Sequence, residues 1–405
     1  MNSPTQERDL VRELARQVAA YAQSPENAVI IQRWHDVNAL RKPDRAPVWC
    51  RPVGAWDELL PEETLRCQDP WLRHWEYALR QLLIKREIGD DEPLDPYWEV
   101  HAAFDRTPAN TWGVDIGRHR SDEEGGSWAY DPPIKSPADM GLLVPPQFTF
   151  NQAKTDAAMG RTQDLLGDLM PVKLACGPVM GGTLCSPAAE LVGLSPLMLY
   201  LAMEPEMIHQ LMAYLRDAVL RSIDAAEATG LLTPNTTGPM TCSEPIGAPT
   251  DGQYTCKNSW CMANSQEFDQ VSPRMWEEFL LNYQKPIFAR YGLVGYGCCE
   301  NLTHKMEQVL TIPNLRIFVC SAWTNLNKLI QRVGRDYVIM WRQKASAVVF
   351  PDDDATIRRD LEEGARALQG SRYQIILREL QTLAGHPDRL HVWTRNAIEM
   401  AWKYA

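Results

Sequence analysis

Leu293-Val-Gly-Tyr-Gly-Cys-Cys299, Leu315-Arg-Ile-Phe-Val-Cys320 and Tyr337-Val-Ile-Met-Trp341 are short apolar runs that begin 22 residues apart. Each is too short for a helix, and the spacers between them carry apolar residues at helical spacing. After the second run, Leu326, Leu329, Ile330 and Val333 form one stripe, and Gly334 ends it. After the third, Asp353 or Asp354 caps a segment whose Ile357, Leu361, Ala365 and Leu368 face inward, and Gly370 stops it. Tyr373 to Leu377 then reads as the last strand, with a C-terminal helix behind it. Repeated strand–helix units place the strands parallel in a sheet with helices outside.

The same rhythm extends upstream. Ala46-Pro-Val-Trp-Cys50 reads as a buried strand entering a loop, and Trp98 to Phe104 and Val172 to Cys176 as further strands. Helices are expected near the N-terminus, over about 70–86 and about 204–229, and from the Ser272-Pro273 cap to about 290. A doubly wound sheet fits such a pattern. No glycine-rich phosphate loop supports it, and units of this size favour a (β/α)8 TIM-type barrel, whose active site lies at the C-terminal ends of the strands. The expected organisation is an N-terminal helical extension over residues 1–45 and a barrel over 46–405, interrupted at about 105–150 by an irregular insertion.

Composition narrows the class. Of 405 residues, 45% are hydrophobic and 23% charged, which suits a globular chain able to bury one large core. A net charge of −11 argues against nucleic acid or anionic membrane as the main partner. No membrane-spanning run or signal peptide is read, so a cytoplasmic location is expected, with the ten cysteines as thiols.

Alternation along a strand selects candidate site residues. Tyr296, Cys298 and Glu300 share one face, and Cys320 ends the neighbouring strand. If the Tyr296 face points into the barrel, Cys298, Cys320 and Glu300 meet at its mouth. Two thiolates and a carboxylate there can hold Zn²⁺ with one position open to substrate, although free cysteines are more often small buried hydrophobes. His101 lies on a strand near Asp105; Trp341, Arg342 and Lys344 lie where another strand ends and could anchor an anionic or aromatic substrate, and Arg378 and Glu379 are expected to pair with each other.

Ala46-Pro-Val-Trp-Cys-Arg-Pro-Val-Gly54 resembles the N-terminal signature of uroporphyrinogen decarboxylase, and Tyr296-Gly-Cys-Cys-Glu-Asn301 is similar to the site segment of a divergent branch of that superfamily. That branch is related to zinc- and corrinoid-dependent methyltransferases and O-demethylases. The resemblance implies the barrel, zinc, a corrinoid carried by a partner protein, and a tendency to form homodimers. Arg51 matches the first carboxylate-binding arginine of the decarboxylases, whereas Ala55 stands at the second. Cys298 matches the first thiol of the zinc motif, Tyr296 stands in place of its histidine, and Cys320 is the candidate second thiol.

Two activities follow as expectations. The first is zinc-assisted methyl transfer from a small donor, methoxylated aromatic or methylamine, to the corrinoid. Cys298, Glu300 and Cys320 are then the metal ligands and Tyr296 the acid at the leaving oxygen. The second is a cofactor-free decarboxylase in which Arg51 holds a carboxylate and Asp105 or Glu300 stabilises a protonated intermediate. His101, Trp341 and Lys344 are expected to bind substrate in either case. A barrel that binds a small molecule without turnover is the third reading.

Overall fold

The computed structural model describes residues 4–120, 128–351 and 353–405. Its strands are β1 (Val48–Pro52), β2 (Trp98–His101), β3 (Phe104–Thr107), β4 (Gly117–Arg120), β5 (Trp128–Asp131), β6 (Gln147–Phe150), β7 (Val172–Ala175), β8 (Trp260–Ala263), β9 (Leu293–Tyr296), β10 (Leu315–Cys320), β11 (Val338–Gln343) and β12 (Arg372–Leu380). The expected parallel sheet is present, with six strands in the order β1-β12-β11-β10-β9-β8. The first strand of the chain thus lies beside the last, which curls the sheet. β2 and β7 form a separate parallel pair, so hydrogen bonding joins six strands rather than eight.

The reason lies at the two edges. Beside β1, the carboxylates of Asp90 and Asp91 replace a neighbouring ladder. Val48 N donates to Asp91 Oδ2 at 2.7 Å, Cys50 N donates to Asp90 Oδ2 at 2.8 Å, and Asp91 N donates to Val48 O at 2.8 Å. Buried cations neutralise them: Arg33 and Arg45 each reach Asp91 at 2.6 Å, and Lys85 pairs with Asp90. Beside β8, Asn235 exchanges two side-chain bonds with the Trp260 backbone, while Thr233 bonds the backbone of Cys176 just after β7.

Each strand has one face on each of two cores. Cys50, Tyr296, Phe318, Cys320, Trp341 and Leu377 pack outward on the helices Pro205–Glu227, Asp354–Leu368 and Arg389–Lys403. Trp49, Ile317, Val319, Val338, Met340 and Ile376 face inward and share a core with Val11, Trp34 and Leu79 of the helices Pro4–Ala22, Pro25–Asn38 and Pro70–Ile88. The N-terminal helices therefore close on the inner face of the sheet. Among the described residues, no single helix is long and apolar enough to cross a membrane.

Several expected elements change in detail. The Ser272 cap forms, but its helix passes through a π turn at Glu277–Leu281 before ending at Phe288. Trp98 to Phe104 is not one strand, because Ala102 and Ala103 separate β2 from β3. The insertion holds two antiparallel pairs, β3–β6 and β4–β5; its residues 121–127 lie outside the described residues.

Removing Asp91 leaves Arg33 and Arg45 buried without their shared carboxylate. Asp91→Ala is expected to lower unfolding stability by about 3–5 kcal/mol, read as a fall in the urea midpoint.

Candidate functional site

Parallel strands of this kind deliver their side chains to one end. At that end, three adjacent strands each place an arginine on the inner face: Arg51 beyond Trp49 on β1, Arg378 beyond Ile376 on β12, and Arg342 beyond Met340 on β11. Arg342 is 3% exposed, and a cation buried so deeply requires anionic partners. It has two. Its Nη1 donates to Cys298 Sγ at 3.2 Å and to Glu379 Oε1 at 3.1 Å.

Backbone irregularities aim both partners. Gly297 follows β9 with φ +114°, and a Cβ there would lie 2.9 Å from Leu302 and Val319. Glycine alone suits this turn. It breaks the alternation, so Cys298 reaches the mouth although Tyr296 faces the outer helices. On β12, Leu377 pairs with Cys50 and Leu380 with Pro52, leaving one extra residue on β12. Such bulges re-aim side chains at barrel rims. Glu379 occupies the bulge with φ +62°, a strained conformation for a residue with a side chain.

Glu300 fixes the loop between them. It is 2% exposed, and its carboxylate accepts from Ser265 N at 2.7 Å, Ser265 Oγ at 3.1 Å and Cys298 N at 2.9 Å. Its work is to hold the backbone that carries Cys298.

The result is a cluster of Cys298, Cys299 and Glu379, whose ligand atoms lie within 4.8 Å of one another. Cys298 Sγ is 3.6 Å from Cys299 Sγ, which is 3.4 Å from Glu379 Oε1. The Cys299 thiol, together with the charges of Arg342 and Arg378, lowers the Cys298 thiol to about 6. Cys299 moves the opposite way, raised by Cys298, by burial and by Glu379. A cavity of about 180 Å³ opens onto the cluster, with Trp323, Arg342 and Lys344 among its walls. Lys344 Nζ lies 4.7 Å over the Trp323 ring, and Trp323 is 60% exposed.

The structure brings Cys298, Arg51 and Lys344 to this end and disperses the other expected residues. Tyr296 is fully buried on the outer face, where its hydroxyl donates to Gln284 Oε1 at 2.9 Å and burial raises its pKa. Cys320 also faces outward; its thiol points at Ser321 O and Thr324 O, and burial pushes it up to about 12. Cys298, Cys320 and Glu300 therefore do not form the expected ligand set, because Cys320 is on the wrong face and Glu300 is engaged with backbone. Trp341 packs into the notch left by Gly364, where a Cβ would meet its ring at 2.2 Å. Asp105 sits on β3, ion-paired with Lys154 at 2.6 Å, and lines neither this cavity nor the larger one. His101 lines that larger cavity, of about 570 Å³, beside β2, β7 and β8, together with Glu99, Arg106, Asn235 and Met262. Met262 Sδ occupies the space a Cβ on Gly295 would need, so this cavity reaches the flank of β9. Arg378 and Glu379 do not pair with each other; Glu379 pairs with Arg342. The sequence places Arg342 at a strand end as a candidate anion anchor but does not join it to Cys299 and Glu379, although arginines at three strand ends are a readable signal.

No protein-family model matches the chain, and no curated protein matches its sequence. Among solved structures, the chain is similar to a methyltransferase from Methanosarcina mazei, with a TM-score of 0.53 and 11% identity over 91% of this chain and 98% of that one. At that identity the likeness establishes a shared fold.

With its pKa near 6, Cys298 is mostly thiolate at pH 7. After chelator treatment, iodoacetamide at pH 7 is expected to label Cys298 before the buried cysteines, with the rate falling as pH drops below 6. Arg342→Gln is expected to shift the pH profile of that labelling up by about one unit, which slows it about twofold at pH 7 and about tenfold at pH 5, as followed by peptide mass spectrometry.

Proposed function

We propose that this chain is the component of a zinc-assisted methyltransferase that binds the methyl donor and passes its methyl group to a corrinoid on a partner protein. One observation carries the reading: two thiols and a carboxylate, Cys298, Cys299 and Glu379, converge at the ends of parallel strands. Tetrahedral zinc with its usual bond lengths has sulfur–sulfur edges of about 3.8 Å and sulfur–oxygen edges of about 3.5 Å. The separations of 3.6 and 3.4 Å fit that donor set. A methyltransferase fold of the same extent adds support. The two parallel sheets are, in this reading, one eight-stranded barrel with two side-chain-bridged seams. Ten free cysteines suit a reducing, cytoplasmic compartment.

When bound, zinc supplies Lewis acidity at the heteroatom that carries the methyl group. The protein's own residues do the rest. Arg342 donates to Cys298 and Glu379, keeping the thiol deprotonated and the carboxylate aimed. Glu300 holds the Cys298 backbone. Trp323 and Lys344 flank the opening, where an aromatic donor can stack. The corrinoid supplies the nucleophilic metal, and this chain supplies orientation and electrostatics.

A second reading rests on Arg51, Arg342 and Arg378. Burial and the neighbouring charges of Arg342 and Arg51 lower the pKa of Arg378, which marks a site in need of an anion. A decarboxylase acting on a carboxylated ring would use the same arginines.

Elemental analysis separates the two. Methyl transfer predicts about one zinc per chain, lost in Cys298→Ala, Cys299→Ala and Glu379→Ala and kept in Cys320→Ala. Zinc-free protein that releases carbon dioxide from a carboxylated substrate would establish the decarboxylase instead.

A further inference from the structure

At the opposite end of β12 lies a third cavity, of about 190 Å³, whose walls include Lys42, Arg45, Arg335, Arg372, Tyr373 and Tyr404. Arg372 begins β12, and the seven residues from there to Glu379 span roughly 23 Å at the usual strand rise. The cavity is thus remote from the cysteine cluster.

Its chemistry is one-sided. Four of its lining side chains are cationic and none is acidic, and Ala405, at the end of the sequence, is also on its wall. Among the described residues, no carboxylate side chain forms an ion pair with Lys42, Arg335 or Arg372. In a chain with a net charge of −11, such a gathering of unpaired cations is selective. Arg335 and Arg372 are tethered through Nε, to Gly370 O at 2.7 Å and Leu40 O at 2.9 Å, which fixes their planes. Two buried polar groups have no partner: the Tyr373 hydroxyl, on a residue 5% exposed, and Arg45 Nε, on a residue 6% exposed. Both atoms are sealed from solvent and lie beneath the cavity wall rather than on it.

We propose that this cavity binds a small multivalent oxyanion, of phosphate or polycarboxylate type. The volume exceeds that of a few waters, each of about 30 Å³, and so admits more than one charged group. Arginine planes present paired donors to such oxygens. Arg45 also holds Asp91, so the ligand would brace the edge of β1.

Calorimetric titration of the full chain with sodium pyrophosphate, and separately with citrate, at constant ionic strength tests this. One site is expected, and Lys42→Gln and Arg335→Gln should each weaken it about tenfold, the usual loss for one charged hydrogen bond. Tyr373→Phe, which removes a sealed hydroxyl, should leave binding unchanged and should not lower the urea midpoint of the ligand-free protein. Cys298→Ala should bind as tightly as the natural chain, separating this site from chelation at the mouth. Tighter pyrophosphate marks a phosphate-type ligand, and tighter citrate a polycarboxylate. No heat with either anion, or binding that survives in the Lys42→Gln/Arg335→Gln double variant, overturns the proposal.

Discussion

The site depends on a buried guanidinium. Arg342 sits at the end of β11 with almost no solvent around it, and a lone cation there would be strongly unfavourable. Its charge is met by the Cys298 sulfur and the Glu379 carboxylate, and those two groups, drawn to one cation, come close to Cys299 as well. The same arrangement that neutralises the arginine gathers soft and hard ligands in one place. Lowering the Cys298 thiol and collecting atoms able to hold a metal are therefore two consequences of one electrostatic requirement.

Positioning the cluster requires a sheet that curls and stays curled. β1 lies against β12 along one edge, and along its other edge it is held by Asp90 and Asp91 rather than by a strand. Those carboxylates are themselves held by Arg33, Arg45 and Lys85 from surrounding segments. Charge-assisted bonds of this kind are stronger than neutral ones. They keep β1 in register, and Arg51 with it. The N-terminal helices fill the inner face below the arginines with Val11, Trp34 and Leu79, leaving the strand ends as the accessible part of that face.

Much of the fold was legible because strand and helix periods alternate cleanly after residue 293. The runs at 293, 315 and 337 became β9, β10 and β11, and their glycine stops held. That the ladder stops at six strands was not legible, because side chains of Asp90, Asp91 and Asn235 stand in for ladder bonds and carry no periodic signal. The site was read in part. Alternation picked out Cys298 but placed Tyr296 and Cys320 with it, whereas both belong to the outer face. Gly297 with positive φ cancels the alternation after β9, and the bulge at Glu379 cancels it on β12. A pattern with period two cannot register a residue whose backbone leaves the strand, so Glu379 looked like a partner for its neighbour Arg378.

Zinc K-edge X-ray absorption on the purified chain tests the central claim most directly. The account predicts two sulfur neighbours at about 2.3 Å with lighter atoms at about 2.0–2.2 Å, in the natural chain and in Cys320→Ala alike. Zinc bound without sulfur, or a sulfur count unchanged by Cys299→Ala and reduced by Cys320→Ala, would contradict it.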